Sequence, residues 1–102
     1  MQTITHQQIV DHGQRMIQLQ LDAATETARR YLDQTRAITW LCAFNLVSER
    51  HAAIQNIAFT LGSLDSFALQ SNIDPIANDA CAQIDALQDE MREFMSHNIH
   101  TA

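Results

Sequence analysis

Five histidines, two cysteines and twelve carboxylates are the side chains through which this 102-residue chain could do chemistry. Glu93, His97 and His100 follow one another at about one helical turn, so in principle they could face one metal ion. Helical metal centres usually draw ligands from several helices, and the paired Glu-x-x-His pattern of di-iron bundles is absent. These three also sit at a chain end, where helices fray, so the expectation is a solvated tail and no metal site. Ser48-Glu49-Arg50-His51 gathers a hydroxyl, an acid and an imidazole. Adjacent positions on a helix diverge, however, and a catalytic triad needs convergent side chains. Cys42 has no identifiable base to activate it. Gly13 and Gly62 are the only glycines, too few for a phosphate-cradling loop. No catalytic residue, cofactor or metal is therefore assigned, and the chain is not expected to be an enzyme.

His51 carries a different message. It lies with Arg50 between Val47 and Ile54, a polar step in an otherwise apolar stripe. Such a step can set register or make a pH-sensitive contact. Its ordinary explanation is a histidine at the core edge holding one hydrogen bond. Met16, Met91 and Met95, with Trp40, Phe44, Phe59, Phe67 and Phe94, stand at helical spacing and are expected to be core.

The elements that must position these residues are helices. Two Gly and one Pro are too few for the turns of an all-β fold, and Ala, Gln and Leu favour helix. At 46% apolar residues, a single globular domain over 1–102 is expected rather than a disordered chain. Thr5 followed by Gln8 forms a capping-box pattern that starts a helix near His6. Its stripe runs Ile9, Val10, Met16, Ile17, Ala24, Ala28 and Tyr31. From Trp40 to Leu61 the apolar stripe is rotated by roughly a third of a turn, which places a break at Asp33–Arg36. One long helix from His6 to Val47 is the alternative. The second helix is expected from about Thr35 to Leu61. Gly62 either caps it, with Ser63 starting a short continuation, or stays inside a helix reaching Gln70. Asp74 and Pro75 form a helix-start signal, so a last helix is expected from there to about His97. Its seam is Ile76, Ala80, Ile84, Leu87, Met91 and Phe94. The fold class is all-α: a small antiparallel bundle of three long helices plus a short one, which dimerisation could complete.

Between Ile38 and Val47 the second helix is apolar on all sides and needs a cover. Ile38, Trp40, Leu41, Phe44, Val47 and His51 are therefore the expected partner-binding residues. The leading reading is a non-enzymatic interaction module that self-associates as a homodimer and presents helical surfaces to a protein partner. Charge supplies the second reading. All six basic residues are Arg, the net charge is −6, and residues 51–102 hold seven acids against Arg92 alone. That argues against direct nucleic-acid binding, which needs a positive patch. It fits an acidic inhibitor or antitoxin-like protein competing with nucleic acid for a basic surface. The stretch Met16–Ile38 resembles the granule-coating phasin helices, which would imply an amphipathic surface binder. Two distant cysteines form no disulfide framework, and no secretory signal or membrane-length apolar run is visible, so a cytoplasmic protein without a membrane partner is expected.

Overall fold

The computed structural model describes the backbone of residues 5–33, 39–64 and 67–101, with the side chains of 6, 62–64, 67–71 and 98–101 left aside. Three helices account for them: α1 over His6–Leu32, α2 over Trp40–Leu64 and α3 over Phe67–Thr101. The start of α1 is the expected capping box. Gln8 N–H donates to Thr5 Oγ1 at 3.1 Å, and Thr5 N–H donates to Gln8 Oε1 at 2.8 Å. This satisfies two backbone donors that would otherwise lack partners. At the other end Asp33 N–H donates to the Arg29 carbonyl at 2.8 Å. Arg29 and Arg30 lie in this last turn, where the negative end of the helix dipole favours cations. The break thus begins at Asp33, and the expected start at Thr35 lies outside the described residues. Thr39 caps α2: Cys42 N–H donates to its hydroxyl at 3.2 Å and Ala43 N–H to its carbonyl at 3.0 Å.

Two expectations about the second half are corrected. Gly62 does not cap α2, which continues through it to Leu64. Asp74 and Pro75 do not start a helix, because Pro75 lies inside α3. The expected short continuation from Ser63 is divided: Ser63 and Leu64 end α2, the described part from Phe67 opens α3, and no separate fourth helix stands among the described residues. Ile73 gives the reason. It is fully buried, and Ile73, Ala77, Ala80, Ile84, Leu87 and Met91 form one unbroken buried seam. Continuing the helix backward through the proline extends that seam by one large side chain. Full burial of an isoleucine stabilises by about 1.5–3 kcal/mol, comparable with the cost of about 3 kcal/mol for an interior proline.

Contacts along the helices fix their directions. Gly13 of α1 meets Leu61 of α2, while Arg50 of α2 donates to Gln20 of α1 at 2.9 Å, so these two run antiparallel. Gly13 also lies against Ile73, and Tyr31 packs edge-on against Phe94 at 5.3 Å, so α1 and α3 run parallel. The result is an up-down-up bundle in which every pair of helices touches. One core runs its length, with Ile17, Val47, Ile54, Ile73, Ile84 and Met91 as its largest fully buried members. The molecule measures 62 × 23 × 14 Å. Its radius of gyration, 16.5 Å, exceeds the roughly 13 Å expected of a compact domain this long.

Candidate interaction surface on the second helix

α2 contributes Ala43, Val47, Ile54, Ala58 and Leu61 to the core. Between Val47 and Ile54 the apolar sequence is interrupted, and there α2 is tied to both neighbours by polar contacts. Arg50 donates to Gln20 on α1. On the other flank, Gln88 Nε2 donates to Ser48 Oγ at 2.8 Å, and His51 Nε2 lies 3.4 Å from Asp85 Oδ1. His51 is half-buried, with a carboxylate partner at the core edge. Gln88 is the one polar side chain buried among the described residues. Its place was hidden in the sequence, because a Gln beside Leu87 reads as the exposed flank of the seam.

The six expected partner-binding residues divide between core, rim and outer face. Ile38 lies outside the described residues. Val47 is fully buried within this single chain, so it supports the surface from beneath. Trp40 and Phe44 are half-buried and stacked, with ring centroids 4.8 Å apart. The Arg92 guanidinium covers Phe44 at 4.9 Å, a cation–π arrangement. Trp40 Nε1 is buried without a hydrogen-bond acceptor among the described residues, a local cost of the kind buried donors incur. Leu41 faces outward and is 62% exposed. The expected all-round cover of this segment is therefore partial in the single chain. Cys42 is exposed, as are Asn45 and Leu46. Leu41, Cys42, Asn45 and Leu46 make an outward patch of uncharged side chains, bordered one turn on by the exposed Glu49.

Phe59 is a second correction. Expected in the core, it is 78% exposed. Its position eighteen residues after Leu41 is about five helical turns, which returns it to the same outer face. Beside it, α2 and α3 enclose an open groove of about 890 Å³. Small side chains, Ala58, Ala77, Cys81 and Ala82, form much of its lining, with Asp74 and Asp85 along the α3 side. Burial, and secondarily the Asp85 carboxylate, push the Cys81 thiol above its ordinary range.

Among the described residues no group of three or more His, Cys, Asp or Glu is placed to hold a metal ion. The His100 side chain of the candidate set Glu93, His97 and His100 lies outside them. No described helix is long and apolar enough to cross a membrane. Within the described part of Met16–Ile38, the face bearing Ile17, Leu21, Ala24, Ala28 and Tyr31 is buried in the bundle, and Leu19 is the exposed large apolar residue among the described residues. No known protein family, curated protein or solved structure matches the chain.

Proposed function

We propose that this chain is a non-enzymatic interaction module that self-associates through the N-terminal part of α2 and presents helical surfaces to a protein partner. The observation that carries the reading is the placement of large exposed apolar side chains. Leu41, Leu46 and Phe59 lie on α2, against Leu19 on α1, among the described residues. The bundle core is already formed by other residues, and these side chains keep from 37% to 78% of their surface in solvent in the single chain. Exposed apolar groups that cluster on one element mark interaction surfaces. Leu41, Cys42, Asn45 and Leu46 themselves carry no charge, which lowers the desolvation cost of burial by a second copy, while the exposed Glu49 and Arg50 border the patch one turn on. A two-fold pairing would bring the same patch from both chains together. Free thiols at Cys42 and Cys81 are compatible with the reducing cytoplasm, where we place the protein.

Sedimentation velocity across a concentration series tests this. The expected result is a dimer that Leu41→Glu with Leu46→Glu converts to a folded monomer. A wild-type monomer at high micromolar concentration would refute self-association.

A second reading, the acidic inhibitor, has one observation in its favour. α3 carries six acids against Arg92, while α1 and α2 each balance their charges. Glu90 is already paired with Arg29 at 3.6 Å and Asp89 with Arg92 at 2.9 Å, and Asp85 lies 3.4 Å from His51. A complex with a basic partner that ignores ionic strength would eliminate this reading.

A further inference from the structure

We propose that the groove between α2 and α3 seats a single amphipathic helix of a basic partner protein, whose cationic residues are spaced about three turns apart. This rests on the interaction-module reading but uses a different part of α2, beyond the Leu41–Leu46 patch. Three features of the groove select the occupant. Ala58, Ala77 and Ala82 offer no bulk, so a neighbouring helix could approach closely. Phe59, 78% exposed, stands as an apolar wall for the occupant's own apolar side chains. Charge decides the rest. Asp74 and Asp85 line the groove, His51 is its one basic lining residue, and no Arg lines it among the described residues.

Asp74 and Asp85 are eleven residues apart on one helix, which is about three turns and roughly 16 Å. A docked helix carrying Arg or Lys at i and i+11 therefore meets both carboxylates from one face. Between them its small or apolar residues would cover the groove floor. An acidic helix would set like charge against both carboxylates, and a neutral one would leave Asp74 covered without a cation and Asp85 with His51 alone, 3.4 Å away, arrangements that cost binding. The groove is open rather than enclosed, which suits a helix laid along it.

The test uses the full chain carrying Leu41→Glu and Leu46→Glu, so that self-association does not compete. Its probe is a 21-residue helical peptide with a Leu/Ala stripe and two Arg eleven residues apart. A counterpart has Glu in place of both Arg. Fluorescence anisotropy should show the Arg peptide binding at least tenfold tighter than the Glu peptide. Asp74→Asn with Asp85→Asn should remove that preference, and Phe59→Ser should weaken the Arg peptide about tenfold. Equal binding of the two peptides overturns the proposal, as does a preference that survives the double Asn variant. So does a wild-type dimer that Phe59→Ser dissociates, because the groove's occupant is then a second copy. Failure of the peptide test alone leaves the mass measurement on the Leu41–Leu46 patch standing, so the two readings fail separately.

Discussion

Cys81 and Tyr31 show how burial acts on single side chains in this bundle. The Cys81 thiol is held above its ordinary value of 9.0, first by burial and then by Asp85. Asp85→Asn removes the second cause and leaves the first. In a Cys42→Ser background, Cys81 alkylation at pH 8 should then quicken about two- to fivefold, since the thiolate is the reactive form. An unchanged rate would show that the carboxylate has no hold on the thiol. The Tyr31 phenol is pushed above 10.0 by burial. A folded value raised above the unfolded one means a contribution fully present below 10.0 and lost as pH rises through the folded value. Tyr31→Phe keeps the edge-on ring contact with Phe94 and cannot ionise. Its urea midpoint should fall less between pH 8 and pH 11 than that of the wild type.

Helices, taken as elements, separate what local sequence encodes from what packing decides. An interior proline at the exposed position 75 leaves the Ser71 carbonyl without its helical donor. Pro75→Ala should therefore stabilise the protein by about 1–3 kcal/mol, measured by urea unfolding. A helix that began at Pro75 would show no gain. Gly13 tests the opposite case. A Cβ there would collide with Leu61 Cδ1 and come within 2.9 Å of Ile73 Cδ1. Gly13→Ala should destabilise despite its better helix propensity, and the loss should shrink in a Leu61→Val background, where the nearer colliding methyl is gone and the Ile73 contact remains. The α1 start was legible because a capping box is made within four residues. The break after Leu32 was legible from the rotation of the apolar stripe. Pro75 misled because its local signal is strong, whereas the opposing burial of Ile73 comes from α1 and α2. Phe59 misled because an aromatic is expected inside. Its phase relative to Ala58 and Leu61 held the correct answer. The Ser48–Gln88 and His51–Asp85 contacts span some thirty-five to forty residues, and no local pattern encodes such pairs.

For the whole molecule, the outward patch on α2 supplies a chemical reporter of assembly. Cys42 is exposed beside Leu41, whereas Cys81 lies in the groove. Mild oxidation should yield a covalent dimer on a non-reducing gel that Cys42→Ser abolishes and Cys81→Ser leaves intact. A ladder that depends on Cys81 instead would move the self-contact to the α2–α3 groove. The up-down-up order has another outcome. Because α1 and α3 point the same way, His6 and Thr101 leave from opposite poles of a rod 62 Å long. Two bodies fused to these poles would be held apart like weights on a barbell. Dyes attached there would exchange little excitation energy while the rod stays folded.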